Sequence, residues 1–238
     1  MRDIGYHVLI PGLPARSSRG FLGWSTVTLL ETAEGPVLFD TGTAGERAAL
    51  LSALAVHGLD PAQIRQIVLS HLHVDHVGNV ECFPRAELII HQDELTYFYE
   101  QQGRDAAMPT YLIEGMLARS KLQLIHGELE ILRGVRLLQT PGHTGGHCSI
   151  AFSSGGRAVV LAQDAIKNRV EAATGDSIGA FDPEAARNSI RRIMSMAELV
   201  VPGHDGVLTV QDGQVVSVAG GRVELTRATD GQTLVMEF

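Results

Sequence analysis

The chain has 238 residues, 45% of them hydrophobic, enough to build one large domain around a substantial core. A formal charge of -8 disfavours a surface given over to polyanions, so nucleic acid is not an expected partner. With only two cysteines, Cys82 and Cys148, a disulfide framework is not expected, and no window approaches eighteen apolar residues, so neither is a membrane span.

The start, "MRDIGYHVLIPGLPARSSRG", holds a short apolar run broken by Pro11 and lacks a small-residue cleavage pattern. It does not read as a signal peptide, and a reducing, cytoplasmic setting is expected. Two β-branched runs follow, "STVTLLE" and "GPVLFD", then a helical stretch "GERAALLSALAVHG" closed by Gly58, then "QIVLS" as a buried strand. After "AELIIH", "QDELTYFYEQQ" reads as a helix. The segment at 103–122, around "RDAAMPTYLIEGMLARS", ends no obvious β-unit and reads as a cap or insertion. Its Met108, Tyr111, Leu112, Met116 and Leu117 suit a substrate cap, a homodimer contact or core packing equally well. The second half repeats the logic with "VRLLQT", "CSIAFSS", "RAVVLAQ", a helix "PEAARNSIRRIMSMAE" with Pro183 at its first position, and "LVVPG". From Gly206 onward the chain reads as strands joined by Asp-Gly and Gly-Gly turns. This is an α/β pattern of two similar halves, read as a single domain over 1–238.

Five apolar strands run into a histidine or an aspartate. "VLFD" ends in Asp40, "IVLSHLH" in His71 and His73, "LLQTPGH" in His143, "VVLAQD" in Asp164 and "LVVPGH" in His204. Residues beyond the carboxyl ends of strands converge in space even when far apart in sequence. His71 and His73 are two apart in extended chain and point the same way, while Asp75 and His76 lie past the strand and turn to a neighbouring point. That geometry suits two divalent metals: one held by His71, His73 and His143, the other by Asp75, His76 and His204, with Asp164 bridging. Imidazole and carboxylate without thiolate suit zinc, and also manganese or iron. An H-x-H-x-D-H run arises by chance in about one such sequence in a thousand. His147 and Cys148 are read as core packing, with His147 hydrogen-bonded behind the ligands.

"SHLHVDHVGN", "FDTG", "TPGHTGGH", "LAQDA" and "VPGH" resemble the metallo-β-lactamase fold superfamily over nearly the whole chain. The resemblance implies a four-layer αβ/βα sandwich of two mixed β-sheets with metals in a groove at one edge, and it implies the ligand roles above. It also makes Asp40 an acceptor that orients a ligand. A bridging Asp164 is typical of the lactonase-like and glyoxalase II-like hydrolases rather than the antibiotic lactamases. The quorum-sensing lactonases carry a tyrosine three residues after that aspartate, whereas this chain has Lys167, and Gln163 stands where a glycine often precedes it.

The expected activity is hydrolysis of a small ester, lactone, thioester or phosphoester by water activated between two metals, with Asp75 handling its proton. Lys167 and Asn168 are expected at the groove rim as contacts for an anionic substrate group, with pairing of Lys167 to a nearby acid such as Glu171 as the alternative. Two readings compete: a mononuclear iron oxidoreductase similar to the persulfide dioxygenases, and an RNA nuclease of the same fold. A metal-stabilised module without turnover is the non-catalytic case.

Overall fold

The structure, a computed structural model, describes residues 3–238. Its first half runs β1 (Gly5–Ile10), a small hairpin β2 (Arg16–Ser17) and β3 (Gly20–Phe21), β4 (Val27–Thr32), β5 (Gly35–Phe39), α1 (Arg47–Val56), β6 (Gln66–Val68), α2 (Val74–Val77), β7 (Glu87–His91), α3 (Gln92–Glu100), α4 (Thr110–Arg119) and β8 (Lys121–Ile125). The second runs β9 (Glu130–Leu132), β10 (Val135–Gln139), β11 (Cys148–Ser154), β12 (Arg157–Gln163), α5 (Arg169–Thr174), α6 (Pro183–Met196), β13 (Leu199–Pro202), β14 (Val207–Gln211), β15 (Gln214–Ala219), β16 (Arg222–Thr226) and β17 (Thr233–Glu237). One sheet has the order β1-β4-β5-β6-β7-β8 and the other β15-β14-β13-β12-β11-β10-β9. Both are mixed: β5 to β8 run parallel, as do β12 and β13, and the remaining pairs are antiparallel.

The strands alternate their side chains between two faces, and that alternation builds the layers. Leu30, Val37, Phe39, Val68 and Ile89 point to the space between the sheets, where they meet Leu137, Ile150, Val159, Leu161 and Val201. Their chain neighbours Leu29, Leu38, Ile67, Leu88 and Ile90 point the other way, onto Leu50 and Leu54 of α1, Phe98 of α3, and Ile113 and Leu117 of α4. On the far side Val160, Ala162 and Val200 pack against Ile190, Ile193 and Met194 of α6. The result is the αβ/βα sandwich expected from the sequence.

Pro183 opens α6, capped by Asp182, whose carboxylate accepts from Glu184 N and Ala185 N. In the β14–β15 hairpin both turn residues, Asp212 and Gly213, have positive φ, as a two-residue turn requires. Strands β1, β8 and β9, absent from the sequence reading, lie at or beside the sheet edges. The 103–122 segment carries α4 and lies on the crossover from β7 to β8. There Met108 and Leu117 are buried and Met116 partly so, while Tyr111 and Leu112 face solvent. No helix among the described residues is long and apolar enough to cross a membrane.

Candidate metal centre

The parallel strands β5, β6, β12 and β13 and the strand β10 all deliver their carboxyl ends to one edge of the sandwich. Cross-sheet bonds close that edge: Cys148 N donates to Ser70 O (2.9 Å), Thr26 N to Gly203 O (2.7 Å) and Thr26 Oγ1 to Pro202 O (2.6 Å). The chain leaves two strands through left-handed residues, Asp40 (φ 60°) and Gln163 (φ 47°), conformations that a non-glycine side chain resists by about 1–3 kcal/mol. At Gln163 this is the physical meaning of the departure from glycine; its amide donates to Thr26 O (3.1 Å) and ties the turn to the opposite sheet. Gly203 allows a close approach of another kind, since a Cβ there would lie 1.9 Å from Asp164 Oδ1. Beyond β6 the chain stays extended through His73, then turns into α2, which carries Asp75 and His76.

Both triads expected from the sequence assemble. His71, His73 and His143 offer ligand atoms within 4.8 Å of one another, and so do Asp75, His76 and His204. Between them lies Asp164. Its Oδ2 is 3.2 Å from His143 Nε2, and its Oδ1 is 3.4 Å from His76 Nε2 and 3.3 Å from His204 Nε2. His71, His76 and Asp164 are buried, while Asp75, His143 and His204 are partly exposed, so the centre opens on the latter side.

Most of these histidines are held from behind. Asp40 Oδ2 accepts from His76 Nδ1 (2.7 Å) and from the Ser70 hydroxyl (2.6 Å), and Ser70 Oγ in turn contacts His71 Nδ1 (2.9 Å). Because Asp40 can only accept, Ser70 donates to it and accepts from His71 Nδ1–H. His204 Nδ1 donates to Trp24 O (2.9 Å), and His73 Nε2 to Asp105 Oδ2 (3.0 Å). Each opposite nitrogen is thereby left to the centre with its lone pair, and His71 Nε2, His76 Nε2 and Asp164 Oδ1 are buried with no hydrogen-bond partner. His73 Nδ1 and His143 Nε2 face each other at 3.0 Å.

Electrostatics agree with that arrangement at His71 and His143 and work against it at His76 and His204. Burial and the neighbouring histidines hold His71 well below its ordinary value, and burial does the same to His143 although Asp164 opposes it. Both are neutral imidazoles at neutral pH, the form that coordinates. Burial acts to lower His76 and His204, but Asp164 and Asp75 override it and raise both, so without a cation these rings favour a proton on Nε2 that a bound cation would displace. Burial would raise Asp164, yet His204, His76 and His143 hold it well below the carboxylate range, so it is ionised. A buried arrangement of inward imidazole lone pairs and carboxylates is a donor set that fits divalent cations.

Of the remaining sequence candidates, His147 is fully buried, its Nδ1 2.9 Å from Thr140 Oγ1, and Cys148 is a buried free thiol. Lys167 Nζ pairs with Glu171 Oε1 (2.8 Å) and donates to Ser177 Oγ (2.9 Å), the acid partner weighed as the alternative to substrate. Asn168 caps α5 through its side-chain oxygen, which accepts from Val170 N and Glu171 N. Three acids escaped the sequence reading. Buried Glu94 accepts from Leu72 N, Thr144 Oγ1 and Gly146 N, joining the His71–His76 loop to the His143 loop. Asp105 holds His73. Glu46 has a buried, unpartnered Oε2, and burial with Asp75, against His204, raises its carboxyl to about 7. None stands directly at the end of an apolar strand, the signal that exposes Asp40, His71, Asp164 and His204.

Residues 22–204 match the family model of the metallo-beta-lactamase superfamily. The mouse metallo-beta-lactamase domain-containing protein 1 is 34% identical over 204 residues, covering 83% of this chain and 71% of its own. An N-acyl homoserine lactonase from a Bacillus species is 31% identical over 205 residues, covering 74% and 79%. Among solved structures, a quorum-quenching N-acyl homoserine lactone hydrolase superposes with a TM-score of 0.59 at 31% identity, over 71% of this chain and 73% of the other. A probable metal-dependent hydrolase from Staphylococcus aureus reaches 0.69 over 91% and 96%, and at 16% identity it shows the shared fold alone.

Proposed function

The chain belongs to the metallo-beta-lactamase superfamily, and from that premise we propose that it is a dinuclear metal-dependent hydrolase of a small ester, lactone, thioester or phosphoester. The observation that carries this reading is the placement of Asp164, one oxygen toward each of two ligand triads, beside imidazole nitrogens that are buried and unpartnered. His71, His73 and His143 would hold one cation, Asp75, His76 and His204 the other, with zinc the favoured metal and manganese or iron alternatives. Bound there, the cations supply Lewis acidity toward a carbonyl or phosphoryl oxygen and make water acidic enough to ionise near neutral pH.

The protein's own groups do the rest. Asp164, shielded from bulk water, fixes the separation of the two triads. Asp75, partly exposed and with its Oδ2 3.5 Å from His204 Nε2, would accept the proton of the attacking water and return it to the leaving oxygen. Substrate enters on the side of Asp75, His143 and His204. The rim beside His143 is apolar: Phe181 donates its backbone N–H to His143 O, packs edge-on against Tyr97 and is 53% exposed. An apolar group next to the scissile bond is therefore favoured, and N-acyl homoserine lactones, on which the Bacillus lactonase acts, belong among the lactones to be tried, with Lys167 standing where those lactonases keep a tyrosine.

The test pairs elemental analysis of protein purified without chelator with turnover on esters, lactones, thioesters, phosphodiesters and RNA. About two metals per chain and hydrolysis of at least one substrate are expected, with both lost in a folded Asp164→Ala variant. One tightly held iron with oxygen uptake on a persulfide would replace this reading by the oxidoreductase. Absence of metal and of turnover would end it.

A further inference from the structure

The histidines of the centre are not anchored alike. His71, His76 and His204 take their anchors from the strand ends and the loop before β4, whereas His73 takes its anchor from the crossover between α3 and α4. Asp105 lies in that crossover, on the turn at 101–109. Its Oδ2 accepts from His73 Nε2 (3.0 Å) and from the Tyr97 hydroxyl (3.0 Å), and its Oδ1 accepts from Ala107 N (2.9 Å). The same turn meets the ligand loop once more, where Val74 N donates to Ala107 O (2.8 Å). Its outer residues Gln102, Gly103, Arg104 and Ala106 are exposed, so little else covers it.

We infer that Asp105 is a positioning residue that couples the 101–109 turn to metal retention at the His71–His73–His143 triad, making the turn a metal-responsive cover. The inference rests on the dinuclear reading above. A cation at His73 Nδ1 withdraws electron density from the ring and makes Nε2–H a stronger donor to the Asp105 carboxylate, a charge-assisted bond. Coupling of this kind is reciprocal: whatever the cation adds to the His73–Asp105 bond is added to the order of the turn, and loosening the turn weakens the cation by the same factor. The carboxylate also fixes the His73 tautomer. Without it, a proton can settle on Nδ1, facing His143 Nε2 across 3.0 Å, and the cation must displace that proton.

The test uses the full chain and zinc, with cobalt(II) as a spectroscopic probe, in competition with a chelator. Asp105→Asn is expected to weaken one of the two zinc sites about 10-fold and Asp105→Ala up to about 100-fold, the other site staying near its parental affinity. Tyr97→Phe, which removes one donor to Asp105, should fall between parent and Asp105→Asn. Hydrogen exchange supplies the second readout. In the parent, removing zinc should speed exchange at Ala107 and the amides of 104–108, and in Asp105→Ala those amides should exchange fast with or without zinc. Two parental affinities in Asp105→Ala, equal weakening of both sites, or exchange at 104–108 indifferent to zinc in the parent would each overturn the coupling. Failure of the parent to bind zinc or cobalt would instead remove the dinuclear reading, and the inference with it.

Discussion

Replacing Asp40 by asparagine should weaken both metal positions at once, because one carboxylate sets the tautomers of a histidine in each triad. Asp40 accepts from Ser70 N (2.7 Å), Ser70 Oγ (2.6 Å) and His76 Nδ1 (2.7 Å), and all of these groups are fully buried. An amide nitrogen in place of Oδ2 cannot accept. His76 then carries its proton on Nε2, and Ser70, receiving from the amide, donates to His71 Nδ1 and moves that proton to Nε2 as well. Both inward lone pairs are lost, and loss of a partner behind a ligand costs about 10–100-fold in metal affinity. The metal-free fold should suffer little from the isosteric change. Asp40→Ala is different: at least two buried donors, Ser70 N–H and His76 Nδ1–H, lose their acceptor at about 1–3 kcal/mol each, or about 2–6 kcal/mol together. Against a total stability of about 5–15 kcal/mol that is a large share. Urea unfolding of the metal-free variants and zinc titration against a chelator separate the two effects. Parental zinc affinity at both positions in Asp40→Asn would refute the tautomer argument.

Gly203→Ala places a methyl where Asp164 Oδ1 now lies, so zinc content should fall by at least one per chain in a protein that still folds; two zinc ions retained would show that Asp164 is not held there. Lys167→Ala leaves Glu171, 2% exposed, without its cation, and should cost about 3 kcal/mol in urea unfolding. An unchanged midpoint with KM raised only for anionic substrates would return Lys167 to the substrate role. Burial pushes His147 down to about 3, so between pH 6.5 and 3 the unfolded chain binds a proton that the fold refuses, and stability falls as the pH drops through that window. Relative to a non-titrating His147→Gln variant, the metal-free parent should lose about 2 kcal/mol more between pH 7 and 5 by urea unfolding; equal losses would contradict the neutral, buried ring.

The centre was legible because its ligands follow apolar strands directly in sequence. His71, Asp164 and His204 are marked by the run that precedes each, and strand ends sharing one edge bring them together. Their anchors were legible only in part. Asp40 ends a strand and showed itself, whereas Glu94 and Asp105 sit on a helix and a turn where an acid is ordinary, and only tertiary contact gives them a role. The layered core followed from alternation in the central strands. β1, β8 and β9 border the sheets, where fewer side chains are fully buried and the apolar signal is thin. Lys167 looked free because the sequence shows its neighbour Glu171 without showing that the carboxylate is buried and turned toward it.

The central claim is that two cations sit on either side of Asp164, and anomalous diffraction at the zinc edge from crystals of the zinc-loaded protein tests it most directly. Two peaks are expected, one against His71, His73 and His143 and the other against Asp75, His76 and His204, with a carboxylate oxygen of Asp164 directed at each. A single peak, or two peaks with Asp164 turned away from both, would contradict the account.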